Sequence, residues 1–158
     1  MTFCEIEILK RIPMGAGLGG GSSNAAAIIT SLVTLFPGCL PEDKIRLILE
    51  GLGSDVSYFY YTAAGIVTGR GEEVTPLTSR TDYTVVIVFP GFLIHTTAAY
   101  SWLDIERKGM RIKKRYKEKE VVHKYLNTAV ESWNFINSFK TVLFHEYPVF
   151  QSILSDLY

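Results

Sequence analysis

The feature that most constrains this chain is a run of glycines near its start. Five of the eight residues of Met14–Gly21 are glycine, and two serines, Ser22 and Ser23, follow directly. Helices and strands do not tolerate that density of glycine, so the run predicts a loop with unusual backbone angles or a very close approach to another group. Glycine lets backbone N–H groups converge on an anion, and the unpaired N–H groups at the start of a following helix add partial positive charge. The run therefore predicts a phosphate site.

Two common nucleotide-binding motifs do not fit this loop. No lysine follows it, which excludes the P-loop pattern G-x-x-x-x-G-K-[ST], and it is not a clean G-x-G-x-x-G after a strand. Most glycine-rich turns bind nothing, and that alternative stays open, although a dense run that is capped by serines and opens a helix favours phosphate. The hydroxyls of Ser22 and Ser23 are candidates for coordinating Mg²⁺ or contacting phosphate oxygens.

The composition predicts a globular protein. Of 158 residues, 47% are hydrophobic and 20% charged, and 16 Lys and Arg balance 16 Asp and Glu. No overall charge therefore draws the chain to nucleic acid or to an anionic membrane. No apolar run reaches the roughly 18 residues of a membrane span, and no signal-peptide pattern opens the chain. Cys4 and Cys39 lack metal-ligand spacing, so we expect free thiols, a cytoplasmic location, and neither a nucleic-acid nor a membrane partner.

The periodicity of apolar residues predicts both helices and strands, and Gly69–Gly71 predicts a turn. Strands are expected at Phe3–Leu9, at Val56–Thr68, near Val74 and, buried, at Thr84–Phe89. Helices are expected at Ser23–Phe36 (apolar nearly all round and therefore buried), Pro41–Leu52, Thr96–Leu103, Val121–Phe139 and Val142–Tyr158, with a new helix starting at Pro148.

A basic segment, Arg107–Lys119, holds eight of the 16 basic residues. It could form a patch for nucleic acid or another anionic polymer. Because Glu106, Glu118 and Glu120 interrupt or flank it and the chain is neutral, a solvated connection is the favoured interpretation.

The segment Lys10–Ala26 resembles the Pro-x-x-x-Gly-Leu-Gly-x-x-Ser-Ser motif of the galacto-, homoserine, mevalonate and phosphomevalonate kinase superfamily. Its triple glycine and the following Asn-Ala-Ala resemble in particular the 4-diphosphocytidyl-2-C-methyl-D-erythritol kinases. In that family the loop wraps the phosphates of ATP, and serines of this type are possible Mg²⁺ contacts. The resemblance implies an ATP site at Pro13, Gly15, Ala16, Gly17, Leu18, Gly19, Gly20, Gly21, Ser22 and Ser23.

A second motif implies a catalytic base. Gly53-Ser54-Asp55-Val56, with the aromatic residues that follow, resembles the family's Gly-[SA]-Asp-Val-Pro-Phe-Phe segment, in which the Asp is the general base toward the substrate hydroxyl. The resemblance therefore assigns that role to Asp55, whereas spacing alone favours an Asp that caps a turn. The chain departs from the motif at Ser57, where the family usually has Pro.

Further segments resemble the family in its order. Gly69–Leu77 resembles a structural hairpin, in which Arg70 is expected to be solvated. Pro90–Tyr100 resembles the stretch whose aromatic residue stacks on the cytosine ring, which implies a substrate contact for Tyr100 and possible phosphate contacts for Thr96 and Thr97. His95 is given no role. Trp133–Asn137 resembles the family's F-x-N-[DE] segment.

The resemblance implies an α+β fold with two incomplete domains. Residues 1–81 would be part of a ribosomal-protein-S5-like first domain with the ATP loop, and residues 82–158 part of a ferredoxin-like second domain. The implied reaction is ATP-dependent phosphorylation of the 2-hydroxyl of diphosphocytidyl-methylerythritol in non-mevalonate isoprenoid precursor synthesis. The family's N-terminal lysine strand and C-terminal glycine loop are not matched. The alternatives are another kinase of the superfamily, a catalytically silent nucleotide-binding fragment, or, more remotely, a binder of anionic polymers.

Overall fold

The structure, a computed structural model, describes residues 4–108 and 118–157. The chain separates into two compact units, Met1–Ile87 and Val88–Tyr158, and each is described by itself. The division expected from the sequence, after residue 81, lies slightly earlier. The assignment of the two parts to kinase domains stays a prediction.

The first unit begins with two helices that the sequence predicts. Helix α1, Gly20–Leu35, follows directly on the glycine run, and α2, Glu42–Leu52, follows Pro41. Two acidic residues in the first turn of α2 suit the positive end of its dipole. Gly53 ends α2 with a backbone angle φ of 158°. Both helices confirm the prediction, although α1 starts three residues before Ser23.

The core of the first unit is formed by one stripe of each helix. Its buried members are Ala26, Ile29, Ile45, Leu49 and Val56. The prediction that α1 is buried nearly all round is wrong, because α1 packs against α2 and α3 (defined next) and leaves the rest of its surface exposed, Leu35 to 68%.

The segment Val56–Thr68, predicted as one strand, is divided between a helix and a strand. Helix α3, Val56–Tyr61, comes first, and strand β1, Gly65–Thr68, follows. The strand prediction is therefore wrong for its first half. The aromatic and β-branched residues there favour a strand by propensity, but Val56 and Ser57 are buried where α3 packs on α1 and α2, and packing decides.

A β-hairpin completes the regular structure of the first unit. Strand β2, Glu73–Pro76, pairs antiparallel with β1, and Val67 lies opposite Val74. The turn between the strands contains Gly69 and Gly71, both with positive φ. The hairpin confirms the predicted turn and the predicted short strand near Val74.

Two other predicted strands are absent from the part of the chain that the structure describes. Residues 4–10 and 84–90 lie in neither helix nor strand, and residues 81–89 are all exposed. The prediction at Phe3–Leu9 is therefore wrong for its described residues, 4–9. The prediction at Thr84–Phe89 is also wrong, and so is the expected burial of that segment, because Val86 is 82% exposed. A strand needs a neighbour for its backbone hydrogen bonds, and β1 and β2 pair with each other.

The second unit is helical in its described residues. It contains α4, Thr96–Glu106, then α5, Glu118–Asn127, a short 3₁₀ helix, Val130–Ser132, α6, Lys140–Glu146, and α7, Val149–Leu157. Helix α4 packs on α6, where Ala99, Leu103 and Val142 are buried.

The helix predictions for this unit are partly confirmed. Helix α4 is confirmed, and α7 starts after Pro148 as predicted. The long helix predicted for Val121–Phe139 is wrong beyond Asn127. Helices and a hairpin together are consistent with an α+β class, while the ferredoxin-like arrangement stays a prediction because residues 88–108 and 118–157 contain no strand.

Candidate functional site

The backbone of the glycine run is left-handed at alternate residues. Gly15, Gly17 and Gly19 have φ angles of 63°, 70° and 65°. L side chains rarely adopt such angles, which explains why glycine stands there. Left-handed residues that alternate with others in a turn can direct successive N–H groups to one side and so form a concavity for anions. The conformation of the loop therefore fits the phosphate site that its composition predicts.

The loop contacts α3 through Gly19. A Cβ atom at Gly19 would lie 2.7 Å from two ring carbons of Phe59. A side chain at this position would require the ring of Phe59 to move, so the loop comes close to an aromatic ring of the same chain. Phe59 thus brings the loop into contact with the helix that begins after Asp55.

A cavity of about 330 Å³ lies where the loop, α3 and the hairpin meet. It is lined by Gly17, Leu18, Gly19, Asp55, Tyr58, Phe59 and Val67. The structure thus brings the middle of the predicted phosphate loop together with the predicted base. Pro13, Gly15, Ala16 and Gly20–Ser23 are not among the lining residues, and Val67 is a lining residue that the sequence did not single out.

Asp55 stands directly before α3, and its side chain is exposed. It occupies the N-cap position, yet its carboxylate makes no capping hydrogen bond. Its backbone carbonyl accepts from the N–H of Phe59 at 3.4 Å. The carboxylate of Asp55 therefore does not cap α3, and Asp55 is one of the residues that line the cavity.

The far end of α3 is attached to α2 by a polar contact. The hydroxyl of Tyr61 donates to Oε1 of Glu42 at 2.9 Å. Burial, followed by this hydrogen bond, raises the pKa of Tyr61 to about 12. The phenol is therefore neutral over the physiological range, and its O–H remains available to hold α3 against the first turn of α2.

Ser23 makes hydrogen bonds within the first turn of α1. The N–H of Ser23 donates to the carbonyl of Gly19 at 2.9 Å, and its hydroxyl donates to the carbonyl of Gly20 at 3.2 Å. The lone pairs of the Ser23 hydroxyl remain free to accept or to coordinate. No acidic side chain lies in this turn, so nothing there offsets the positive end of the helix dipole.

Lys10 is a residue at the loop that the sequence did not single out. Its Nζ atom lies 3.5 Å from the carbonyl oxygen of Gly20. In the P-loop pattern the lysine follows the glycines, whereas Lys10 precedes the run and folds back onto it. The start of α1 thus has a positive side chain beside it.

The predicted substrate residues lie together at the start of α4 in the second unit. Thr96 and Thr97 form its first turn and are exposed. Tyr100 is 54% exposed and meets Phe139 edge-to-face, with ring centroids 5.0 Å apart. Asn137 accepts through Oδ1 from the N–H of Phe139 at 2.9 Å, which is a structural role before α6.

The remaining sequence candidates add nothing to the site. Most of the basic segment Arg107–Lys119 lies outside the described residues. Cys4 and Cys39 are free and exposed, as expected. Arg70 is exposed, as expected. Over residues 4–108 and 118–157, no group of three or more His, Cys, Asp or Glu side chains is placed to hold a metal, and no helix is long and apolar enough to cross a membrane.

Comparisons with known proteins indicate a family for the region that contains most of this site. Residues 2–63 match the family described as GHMP kinases N terminal domain, a range that includes the glycine loop, α1, α2 and α3. No solved structure matches the chain. The resemblance to this class of small-molecule kinases is therefore confirmed for the region that forms most of the cavity.

Similar curated proteins carry a more particular name. A 4-diphosphocytidyl-2-C-methyl-D-erythritol kinase of Treponema pallidum is 34% identical over 154 residues, covering 92% of this chain and 52% of the relative. The proteins of that name from Solibacter usitatus and Thermodesulfovibrio yellowstonii are 45% and 43% identical, over 66% and 64% of this chain and 32% and 35% of their own lengths. This chain is thus related to the 4-diphosphocytidyl-2-C-methyl-D-erythritol kinases. It spans about half the length of the Treponema pallidum relative and a smaller share of the Solibacter usitatus relative.

Proposed function

We propose that this chain acts in ATP-dependent phosphorylation of the 2-hydroxyl of 4-diphosphocytidyl-2-C-methyl-D-erythritol, a step of non-mevalonate isoprenoid precursor synthesis. The observation that carries the proposal is the cavity lined both by Gly17–Gly19 and by Asp55. Phosphoryl transfer requires a cradle for the phosphates and a carboxylate near the attacking hydroxyl. The cavity is lined by residues proposed for each of these two roles, which supports the proposal.

The loop would hold the phosphates through its backbone. The left-handed glycines and the first turn of α1 offer N–H groups, and the helix dipole adds partial positive charge. Ser22 and Ser23 would hold Mg²⁺ or phosphate oxygens through their hydroxyls, and Ser23 keeps its lone pairs for that purpose. Mg²⁺, when bound, supplies neutralisation of the charge on the phosphates.

Asp55 would act as the general base. The substrate oxygen forms a bond to the γ-phosphorus of ATP while the bond from that phosphorus to the bridging oxygen of ADP breaks. The hydroxyl proton passes to the carboxylate of Asp55, which makes no capping bond to α3. Asp55 is exposed and lines the cavity, which supports this role.

The second unit would contribute to substrate binding. Tyr100 would stack on the cytosine ring, and Thr96 and Thr97 would contact a substrate phosphate. The exposed ring of Tyr100, held edge-to-face by Phe139, supports the first role. The S5-like and ferredoxin-like domain architecture belongs to this proposal as well.

The proposal is tested by assaying the chain for ATP-dependent phosphorylation of the diphosphocytidyl substrate, beside Asp55→Asn and Asp43→Asn. Asp43 is an exposed Asp in the first turn of α2 and does not line the cavity, so it is the matched control. Removal of a general base is expected to lower kcat by about 10²–10⁴-fold, while binding of Mg·ATP persists. Asp43→Asn is expected to retain activity.

The other outcomes distinguish the alternatives. Turnover of mevalonate or homoserine in preference to the cytidine-bearing substrate would assign the chain to another kinase of the superfamily. Binding of Mg·ATP without turnover of any substrate would indicate a nucleotide-binding protein that is catalytically silent by itself. Absence of both would refute the proposal for this chain.

A further inference from the structure

The turn of the β-hairpin presses on the segment that leads into Asp55. Gly71 is buried and has a φ angle of 119°. A Cβ atom at this position would lie 2.6 Å from the carbonyl carbon and 2.8 Å from the Cα of Ser54, and closer still to the carbonyl oxygen. The contact is made between two backbones, so neither side can yield by rotating a side chain. Gly71 is therefore required by space as well as by its backbone angle.

The segment that Gly71 contacts has little freedom to absorb a displacement. Ser54 is the residue immediately before Asp55, and the N–H of Val56 donates to the carbonyl of Gly53 at 3.1 Å, which closes a tight turn around both. Val56 itself is 1% exposed. A shift at the carbonyl of Ser54 must therefore move Asp55, because the next residue is fixed in the core.

The other glycine of the same turn has a different neighbour. Gly69 also has a positive φ, 69°, but a Cβ atom there would approach the carboxylate of Glu72, at 2.5–2.9 Å. That carboxylate is the end of a flexible side chain, which accepts from the N–H of Arg70 at 2.6 Å. Both glycines thus lie in the same turn and have positive φ angles. They differ in that a side chain at position 71 would push on the segment that leads into Asp55, whereas a side chain at position 69 would not.

We propose that Gly71 is a positioning residue for Asp55, and that the hairpin turn sets where the carboxylate stands in the cavity opposite the glycine loop. The functional part of this inference rests on the proposed function, in which Asp55 is the base. Phosphoryl transfer depends on the alignment of the attacking oxygen with the phosphorus, and a misplacement of about 1 Å can cost on the order of 10²-fold in rate. Gly71 does not line the cavity, so it would act on the reaction through Asp55.

The first experiment compares Gly71→Ala with Gly69→Ala by NMR of the chain. Backbone amide resonances of Ser54, Asp55 and Val56 are expected to shift in Gly71→Ala and to keep their positions in Gly69→Ala. This readout needs no turnover. Unchanged Asp55 resonances in a folded Gly71→Ala variant, or equal shifts in both variants, would overturn the inference.

The second experiment is kinetic and tests whether the effect passes through Asp55. Gly71→Ala is expected to lower kcat by at least about tenfold with little change in KM for ATP. In an Asp55→Asn background the same substitution is expected to have no further effect on kcat, because coupled residues are not additive. An equal loss in both backgrounds would mean that Gly71 matters only for general integrity, and would overturn the positioning role.

If Gly71→Ala does not fold, the inference is tested with a second variant that places no new atom against Ser54. Thr68→Ala removes the hydroxyl that donates to Oε2 of Glu73 at the base of the turn and so loosens the hairpin next to Gly71, and it introduces no atom against Ser54. Its Asp55 resonances are expected to shift or broaden, whereas unchanged resonances would count against the inference. If the chain shows neither turnover nor nucleotide binding, the proposed function fails, and the NMR comparison still decides on the contact between Gly71 and the Asp55 segment.

Discussion

Two regions of this chain have similarly apolar sequences but differ in how deeply their side chains are buried. In the helices of the first unit, Ile29, Leu49 and Val56 are 9%, 0% and 1% exposed. In segment 84–89, which lies in neither helix nor strand, Val85 and Val86 are 69% and 82% exposed, although five of its six residues are apolar. Apolar sequence alone therefore does not decide burial in this molecule.

The difference follows from the way each structure satisfies its backbone. A helix pairs its own N–H and C=O groups and needs only another surface for its apolar stripe. A strand must find a second strand before it gains either hydrogen bonds or a sheet face to pack. The helices α1, α2 and α3 supply surfaces to one another, whereas the described residues provide no partner strand for segment 84–89.

The largest test of this comparison replaces a buried leucine and an exposed one in the same helix. Leu49→Ala in α2 is expected to lower the free energy of unfolding by about 2–5 kcal/mol, because a fully buried side chain is lost and a cavity remains. Leu47→Ala, at a position 59% exposed, is expected to change it by no more than about 0.5 kcal/mol. Urea denaturation measures both, and equal losses would break the comparison.

The sequence was sufficient for the elements whose stability is local. The stripe of Ile45, Leu49 and their neighbours predicted α2, and the glycines of the 69–71 turn predicted the hairpin. The sequence-based predictions were wrong for segments whose structure depends on contacts with another part of the chain. Val56–Tyr61 has the residues of a strand but packs as a helix, and Thr84–Phe89 has the residues of a buried strand but is exposed.

The site was predicted in part, for the same reason. The glycine loop follows from local backbone chemistry, and the assignment of Asp55 came from resemblance to a motif. That these two line one cavity with Val67 depends on the packing of α3 and the hairpin, which no local pattern contains. Lys10 and Gly71 were missed because their importance is a contact with a residue ten or more positions away.

A second test concerns the glycine loop, in which Gly17 has open space around it and Gly19, two residues later, lies close to Phe59. Gly17→Ala is expected to cost about 1 kcal/mol from left-handed strain, since no atom lies within 4 Å of the added Cβ. Gly19→Ala should cost about 1–3 kcal/mol more, because the added Cβ would lie 2.7 Å from the ring of Phe59. Chemical denaturation measures the difference, and it should shrink when Phe59→Leu is combined with each variant. Equal costs would show that the loop does not touch α3.

A smaller effect is expected from pH. Hydrogen bonds from its own backbone N–H and from that of Arg70 hold the pKa of Glu72 below its ordinary value of 4.5. A lowered pKa in the folded state stabilises the fold above the ordinary value, and that stabilisation is lost as pH falls through the folded-state pKa. The difference in unfolding free energy between wild type and Glu72→Gln is therefore expected to be constant at neutral pH and to shrink below about pH 4.5. Glu5→Gln, in the exposed segment 4–10, is the control, and a similar pH-dependent difference there would remove the assignment to Glu72.

The smallest effect on the free energy of unfolding is expected for a substitution in the exposed segment 84–89. Val86→Lys is expected to change the free energy of unfolding by no more than about 0.5 kcal/mol, because the side chain is already 82% exposed. It should nevertheless reduce the binding of a neutral hydrophobic dye, since segment 84–89 presents contiguous apolar surface. Thr84→Lys adds the same charge in the same segment without removing an apolar side chain, and should reduce dye binding less. A loss of about 2 kcal/mol or more in Val86→Lys would mean that Val86 is buried in solution. The strand predicted from the sequence at Thr84–Phe89 would then be right, and the contrast between helices and strands would have to be explained in another way.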